Sequence, residues 1–257
     1  MKHFNRDFQK VNEPFGAGRG SFRLLFDFSI MISCLKDDLK NYKILDFGTG
    51  TSWIAEWLNR MGYEVVAFDI NMDLSRICQR RVACDKRLNP NLIHFQCGDG
   101  HEMPFKTSTF AHICCFDSLH HMHDYHKVLS EFYRVLIPGG RAIFVEPGAK
   151  HSTSKETIEF IKKCKKDDPT WIERDVVLEE IYQISQKCGF SQMIIRPSLL
   201  PDLREYDFHT WQKFREGDQI LEAGYLNWLK AFNYDSRIVF YLDKGQTKIK
   251  VNLITPV

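Results

Sequence analysis

The sequence lacks any pair of cysteines in a CxxC arrangement, although it contains eight cysteines among its 257 residues. Their irregular spacing offers neither a disulfide framework nor a set of zinc ligands, and a chain of this length does not need covalent staples. Cys114 and Cys115 stand inside an apolar run, where they should act as small hydrophobic residues. We therefore expect reduced thiols and a cytoplasmic location.

The sequence also lacks a large excess of charge of one sign. The net charge of +2 produces too weak a field to attract nucleic acid, so we expect no such partner. The lysine-rich run at Lys162–Lys166 is followed at once by Asp167 and Asp168, which is typical of a solvated helix end.

Long hydrophobic runs are missing as well. The first seven residues lack the apolar region of a signal peptide. The most apolar early stretch, Phe22–Leu35, is too short to span a bilayer and contains Arg23 and Asp27. We predict an amphipathic helix packed on the rest of the chain, with shallow membrane contact through residues 22–35 as the alternative. Residues 1–40 then form a loop and helix that cover a domain of residues 41–257.

The first 150 or so residues alternate apolar runs of strand length with amphipathic runs of helix length. The predicted strands are Lys43–Phe47, Glu64–Phe68, Leu92–Gln96, Phe110–Phe116 and Arg141–Val145. The predicted helices are Thr51–Met61, Met72–Ala83 and Tyr125–Leu136, the last ended by a turn at Pro138-Gly139-Gly140. We expect the third and fourth strands to be buried on both faces. Such repeated units predict an α/β fold with a doubly wound, mostly parallel sheet, whose ligands bind beyond the carboxyl ends of the strands.

The pattern is looser beyond Glu146. It predicts a helix at Val176–Cys188, a strand at Ser191–Pro197, and a polar and aromatic insert near residues 201–234 with two helices. Two late strands, Arg237–Leu242 and Lys248–Ile254, could form an antiparallel pair. We find no repeat or linker, and therefore predict one domain with an embellished C-terminal part.

The first strand ends in a glycine-containing turn, Asp46-Phe47-Gly48-Thr49-Gly50. Gly48 and Gly50 allow the backbone to approach a ligand closely, and the following helix offers N–H groups that suit a carboxylate. Asp69 ends the second strand about 20 residues later, where it can accept hydrogen bonds from ribose hydroxyls. A dinucleotide would need a third glycine where Trp53 stands, so a ligand with one ribose and no pyrophosphate fits better.

Five motifs between residues 43 and 147 carry a family resemblance. They are Asp46-Phe47-Gly48-Thr49-Gly50, Val65-Val66-Ala67-Phe68-Asp69-Ile70, Cys97-Gly98-Asp99-Gly100 with Met103-Pro104-Phe105, Phe116-Asp117-Ser118-Leu119-His120-His121, and Val135-Leu136-Ile137-Pro138-Gly139-Gly140. In order and spacing they resemble class I S-adenosylmethionine-dependent methyltransferases, particularly the small-molecule group that includes quinone-biosynthesis methyltransferases. The resemblance implies a seven-stranded Rossmann-like sheet, S-adenosyl-L-methionine as cofactor, and methyl transfer to an acceptor.

The resemblance also implies roles for single residues. Asp46 and the backbone from Gly48 through Thr49 to Gly50 would hold the methionine part, Asp69 would bind the ribose, and Ile70 would also contact the cofactor. Asp99 would accept from the adenine amino group, with room for the ring beside Gly100 and with Phe116 near the cofactor. The family commonly has glycine where this chain has Ser52.

If the acceptor is a hydroxyl, the transfer also needs a base. His120, His121 and His123 follow the fourth strand, and histidine has a suitable pKa for this role. We predict His120 or His121 as the base and Asp117 as its orienting partner or as a cofactor contact. The alternative is that one histidine packs on the cofactor or caps the next helix. Histidines here could also ligate a metal with Asp117 and Asp124, but magnesium prefers carboxylates and no zinc spacing stands out, so we predict no metal.

Two loops suggest where the acceptor lies. Arg19 belongs to a glycine-rich loop, Glu13–Gly20, that could cover the site, and Glu146 and His151 follow the fifth strand. We predict all three as acceptor contacts. These loops are similar to short motifs of bacterial methyltransferases that act in surface-glycan assembly, which makes a sugar hydroxyl the leading acceptor. The alternatives are a catalytically silent methyltransferase-like binding domain and, less favoured because of Trp53, an NAD-dependent oxidoreductase.

Overall fold

A computed structural model describes residues 14–15, 19–39, 41–197 and 207–246. Within these ranges seven strands form one sheet in the order β3-β2-β1-β4-β5-β7-β6. The strands are Lys43–Phe47 (β1), Val65–Asp69 (β2), Ile93–Cys97 (β3), Phe110–Phe116 (β4), Leu136–Pro147 (β5), Gln192–Ile195 (β6) and Arg237–Asp243 (β7). Neighbours from β3 through β5 run parallel, whereas β7 is antiparallel to both β5 and β6.

The described α-helices begin at capped positions in most cases. They are Arg19–Ile32 (α1), Trp53–Arg60 (α2), Met72–Cys84 (α3), Tyr125–Val135 (α4), Lys155–Cys164 (α5), Leu178–Cys188 (α6), Phe208–Arg215 (α7) and Gln219–Ala231 (α8). Short 3₁₀ segments cover Asp37–Leu39, Pro90–Leu92 and Leu119–His121, and a π-helical turn covers Phe232–Ser236. The side chains of Asn71 and Asp124 accept hydrogen bonds from backbone N–H groups in the first turns of α3 and α4.

Helices cover both faces of the sheet, as the doubly wound prediction requires. Two adjacent residues of β4 lie on opposite faces of the sheet. Cys115 packs on the side of α4 and α6, and Cys114 packs on the side of α1 and α2. Both cysteines are fully buried, which confirms that they act as small hydrophobic residues. The mostly parallel seven-stranded sheet predicted from the sequence is confirmed.

The N-terminal helix α1 lies against α2 and the sheet, with Phe28 and Met31 buried in that contact. The helix predicted at Phe22–Leu35 is thus confirmed, with its start three residues earlier. Among the described residues, no helix has the length and apolar character needed to cross a bilayer.

Three local predictions were wrong or lie beyond the described residues. Strand β3 is at the edge of the sheet, so it is buried on one face only and exposes His94 and Gln96. Pro138-Gly139-Gly140 is not a turn after α4 but an irregularity inside β5, where the pairing with β4 shifts register. The antiparallel partner predicted at Lys248–Ile254 lies outside the described residues, and β7 pairs with β5 and β6 instead.

Candidate active site

The carboxyl ends of the parallel strands bring most of the predicted site residues to one edge of the sheet. The turn after β1 lies between the loop after β2 and the loop after β4. Edges of this kind are where doubly wound sheets bind ligands. The site therefore consists of a cofactor side, at β1 to β3, and a histidine-rich side, at β4 and β5.

Asp46 stabilises the turn after β1 from below. It is 1% exposed, and one carboxylate oxygen accepts hydrogen bonds from the Thr49 hydroxyl and from the Ala55 N–H, the latter at 3.1 Å. Burial raises the pKa of Asp46 to about 7, although both hydrogen bonds oppose the shift. The side chain thus joins the turn to the first turn of α2.

The two glycines of this turn serve different purposes. A Cβ on Gly48, where φ is +66°, would lie 1.7 Å from Oγ of Ser118, so this glycine is required by the packing of the β4 loop. A Cβ on Gly50 would meet no atom within 4 Å, which shows that Gly50 borders open space. The prediction that glycine allows a ligand to approach is thus supported by the geometry at Gly50, whereas a protein contact explains Gly48.

Asp69 links the turn to the next strand. Its carboxylate accepts hydrogen bonds from the N–H groups of Gly50 and Asn71, both at 2.8 Å. The N–H groups of Gly48 and Thr49 donate to the carbonyl oxygen of Phe68. The amides of this turn are thus engaged within the protein, and burial raises the pKa of Asp69.

Ile70 and Asp99 form the outer wall of the cofactor side. Ile70 is 74% exposed, which is unusual for a large apolar side chain in an otherwise ordered loop. Asp99 is also exposed and accepts two hydrogen bonds from His101, which lower its pKa. A Cβ on Gly100 would lie 2.5 Å from the Phe47 ring, so Phe47 fills the space on the Cβ side of Gly100, and the place of an adenine ring beside it stays a prediction.

Phe116 and Asp117 end β4. Phe116 is buried against Trp53, with ring centroids 5.5 Å apart. Asp117 has a positive φ of 48° and forms ion pairs with Arg237 and Arg23. Burial tends to raise the pKa of Asp117, but the two arginines hold it well below its usual value. Asp117 therefore ties the loop to β7 and α1, and it is not the hydrogen-bond partner that orients the histidines.

His120 lies between two carboxylates. Its Nδ1 is 2.8 Å from Oε2 of Glu146, and its Nε2 is 3.2 Å from Oε2 of Glu173. Burial alone would lower the pKa of His120, but the hydrogen bonds that it donates to Glu146 and Glu173 outweigh this effect and raise the pKa to about 10. Because both ring nitrogens carry protons in this arrangement, His120 has no lone pair with which to accept one.

His121 differs from its neighbour. Its Nδ1 donates to the carbonyl oxygen of Ile172 at 3.0 Å, so its Nε2 carries the lone pair. Burial and the charge on His120 lower the pKa of His121. The side chain is 30% exposed, which leaves it accessible to solvent.

The two residues predicted to contact the acceptor after β5 lie deeper than expected. Glu146 is fully buried, and its other carboxylate oxygen accepts from the N–H groups of Ser118 and Leu119. It supports the β4 loop from below, and its contact with an acceptor stays a prediction. His151 donates toward Glu173 at 2.9 Å and remains partly exposed. For Arg19 the structure describes only the backbone, as the first residue of α1.

A family profile described as a methyltransferase domain matches residues 45–144. That segment holds the Asp46–Gly50 turn, Asp69, Asp99 and the His120-His121 pair on neighbouring strand ends. Residues 45–144 are therefore a methyltransferase domain of the class I S-adenosylmethionine-dependent kind. The sequence-based identification of the family is thus confirmed.

Relatives of this methyltransferase match over part of their length. The chain is similar to the ubiquinone/menaquinone biosynthesis C-methyltransferase UbiE of Wigglesworthia glossinidia brevipalpis, with 28% identity over 139 residues, which are 52% of each protein. It thus spans about half the length of the curated relatives it matches.

Solved structures share the fold. Phosphoethanolamine N-methyltransferase 2 of Haemonchus contortus, in complex with S-adenosyl-L-methionine, superposes with a TM-score of 0.61 at 18% identity, covering 86% of this chain and 52% of that one. The YcgJ protein of Bacillus subtilis superposes with a TM-score of 0.56 at 19% identity, covering 86% and 99%. At such identities the likeness shows the fold alone.

One residue of the candidate site was missed in the sequence. Glu173 is 2% exposed in its side chain and accepts hydrogen bonds from His120, His151 and the indole N–H of Trp171. Its contacts with the histidines hold the pKa of Glu173 well below its usual value, against the effect of burial. The only sequence signal is the acidic and aromatic character of the segment 171–175, which says nothing of its partners.

Proposed function

We propose that this chain transfers a methyl group from S-adenosyl-L-methionine to the hydroxyl oxygen of a small molecule. The family assignment supports the donor. The open space above Gly50, the carboxylate of Asp69 and the exposed Ile70 together suit the methionine, ribose and adenine parts in that order. The carboxylate of Asp99 is exposed and free to accept from an adenine amino group once His101 moves aside.

The observation that carries the hydroxyl acceptor is the state of His121. An unactivated hydroxyl is a poor nucleophile and needs a base at the moment of transfer. The hydrogen bond from Nδ1 to Ile172 leaves the lone pair of His121 on Nε2, in a half-buried position next to the β4 loop. We therefore assign the base to His121 and leave His120 as a fixed cation beside it.

The reaction is then an in-line displacement. The acceptor oxygen forms a bond to the methyl carbon while the bond from that carbon to sulfur breaks, and the electron pair remains on sulfur. The acceptor proton passes to Nε2 of His121. Much of the rate must come from holding the oxygen and the methyl carbon in line and close together.

The acceptor itself is proposed at two levels. Among the curated relatives are demethylmenaquinone methyltransferases, whose name states a small-molecule acceptor, and this supports an acceptor of that size. Among hydroxyl acceptors a sugar is our leading candidate, because the loops around Phe15 and Pro147 are similar to those of glycan-associated methyltransferases. His151 and Arg19 remain the proposed acceptor contacts.

Two measurements test the proposal. Calorimetry should show binding of S-adenosylmethionine and S-adenosylhomocysteine, and tighter binding of NAD would overturn the donor assignment. An acceptor screen with methyl-labelled cofactor, beginning with nucleotide sugars and lipid-linked glycans, should yield a labelled product that is stable as an ether. Label found on nitrogen or carbon would overturn the hydroxyl assignment, and cofactor binding without transfer to any acceptor would favour a silent binding domain.

A further inference from the structure

Five titratable side chains meet below the histidine-rich side of the site: His120, His121, His151, Glu146 and Glu173. Among them, His120, His121 and Glu173 each offer a donor atom, and these atoms all lie within 4.8 Å of one another. Ligands of a single zinc-like ion are about 3–4 Å apart, given metal–ligand distances of about 2.0–2.2 Å. Small side-chain rotations would therefore bring the three donor atoms close enough together to bind one ion.

The residues around these three donors resemble the usual surroundings of metal ligands. Histidines that bind metals usually donate their second ring N–H to a carboxylate or a backbone carbonyl. Nδ1 of His120 faces Glu146 at 2.8 Å, and Nδ1 of His121 faces the carbonyl of Ile172 at 3.0 Å. Trp171 donates its indole N–H to Glu173 at 2.8 Å, which leaves the other carboxylate oxygen toward the histidines.

The charge of the cluster also suits a divalent cation. Glu146 and Glu173 are both nearly inaccessible to solvent, with side chains 0% and 2% exposed. Two cationic side chains near the cluster pair with other carboxylates, Arg174 with Glu180 and Lys150 with Asp235. Buried carboxylates need compensation. Without an ion the His120 cation between Glu146 and Glu173 supplies it, and a bound divalent ion would replace the His120 proton and leave both imidazoles neutral.

From this geometry we propose that His120, His121 and Glu173 bind one divalent transition-metal ion such as Zn²⁺. Two imidazole nitrogens and one carboxylate favour this class over Mg²⁺, which prefers oxygen ligands. The sequence raised the histidines as possible ligands but gave no sign of Glu173, because Glu173 follows β5 while the histidines follow β4 and no local spacing connects them.

The use of the ion in catalysis rests on the proposed function. With three protein ligands, positions remain open for an acceptor oxygen on the cleft side, where His121 is partly exposed. An ion there would lower the pKa of a bound hydroxyl, so that the hydroxyl proton leaves to solvent water before transfer and the ion replaces His121 in activating the acceptor.

The test uses the full chain without an affinity tag. Calorimetric titration with ZnCl₂ should show one ion per chain, and CoCl₂ should give a visible absorption spectrum of a four- or five-coordinate site. Glu173→Gln and His121→Ala should each weaken Zn²⁺ binding at least tenfold. His123→Ala and His126→Ala, which remove exposed histidines of the same region, should leave binding unchanged.

Each result decides the question. Equal Zn²⁺ affinity in wild type and in Glu173→Gln, or a loss of binding in His126→Ala, would overturn the site. Absence of the cobalt spectrum in wild type would overturn it as well, even if the variants fail to fold. S-adenosylhomocysteine affinity measured on the same samples separates this failure from a failure of the proposed function, because the cofactor side contains none of the three ligands.

Discussion

The ring of His121 is fixed by the carbonyl oxygen of Ile172, which accepts a hydrogen bond from Nδ1 at 3.0 Å. The neighbouring His120 is fixed by two carboxylates instead. Two adjacent histidines therefore have opposite chemical states: one is a buried cation, and the other has a lone pair near the cleft. Their difference arises from partners that lie far along the chain.

The first prediction concerns the turnover of His121→Ala. Removal of the group that activates the acceptor should lower kcat by about 10²–10⁴-fold, the usual contribution of a general base. The affinity for S-adenosylhomocysteine should stay within about twofold of wild type, since that ligand is proposed to bind on the β1 to β3 side. Steady-state kinetics with an acceptor from the screen, together with calorimetry, measure both. His126→Ala is the matched control, and an unchanged kcat in His121→Ala would contradict the assignment.

The second prediction concerns Ile70, which is 74% exposed at the end of β2. If its side chain packs on the adenine ring, Ile70→Ala should weaken cofactor binding about three- to tenfold, the value of a partly buried aliphatic contact of about 1 kcal/mol. The Tm of Ile70→Ala should equal that of wild type, because the Ile70 side chain makes little contact in the protein without cofactor. Ile220→Ala, at a residue 85% exposed on α8, should change neither quantity. Equal cofactor affinities for the two variants would show that Ile70 is a surface residue only.

Local sequence patterns were enough to predict most of this fold. The strand–helix alternation from Lys43 to Val145 depends on periodicities that each segment carries itself, so the parallel sheet and its functional edge could be predicted. The position of β3 at the sheet edge could not be predicted from apolar content, because burial of a strand depends on whether a second neighbour exists. Similarly, Pro138 and Gly139 are common in turns, but pairing with β4 holds them inside β5.

Site residues were predictable where they follow a strand and not where they are defined by a partner. Asp69 and the two histidines were found by position. Glu173 was not, since its role comes from three imidazoles that approach it from two other segments. Glu146 was predicted as a site residue, but its complete burial was not predicted, because only the fold shows that the β4 loop lies over it.

A third prediction follows from the buried carboxyl group of Asp46. Burial raises its pKa to about 7 in the folded protein, whereas in the unfolded chain it should be about 3.9. Between these values the folded state holds a proton that the unfolded state has released. The free energy of unfolding should therefore fall as the pH rises from about 4 to 7, by about 2–4 kcal/mol from this group.

Asp46→Asn isolates that contribution. The Thr49 hydroxyl and the Ala55 N–H both donate to the same carboxylate oxygen, so the amide oxygen of asparagine can accept both. Urea unfolding at pH 5 and pH 8 should show that the variant gains about 2–3 kcal/mol relative to wild type at the higher pH, since it cannot ionise. A difference that stays constant between the two pH values would place the pKa of Asp46 near its ordinary value.

The last prediction concerns Ser52, which stands in the left-handed region at φ 60° and ψ 26° just before α2. A residue with a Cβ loses about 1–2 kcal/mol in this region. The Ser52 hydroxyl is also fully buried, and within the described part of the chain it has no hydrogen-bond partner. An unsatisfied buried hydroxyl costs about 1–3 kcal/mol, while glycine costs about 0.5–1 kcal/mol in unfolded-state entropy. Ser52→Gly should therefore raise the free energy of unfolding by about 1–2 kcal/mol.

Ser108→Gly is the control for backbone strain alone, because Ser108 has a φ of 55° but is exposed. Urea unfolding should show a smaller gain for Ser108→Gly than for Ser52→Gly, the difference being the cost of the buried hydroxyl. Equal gains would mean that burial of the Ser52 hydroxyl has no net cost. A loss of stability in Ser52→Gly would mean that the Ser52 side chain makes a stabilising contact. Strain kept at a functional turn usually has a use, so cofactor affinity of Ser52→Gly, measured beside its stability, tests whether the serine hydroxyl turns toward the ligand.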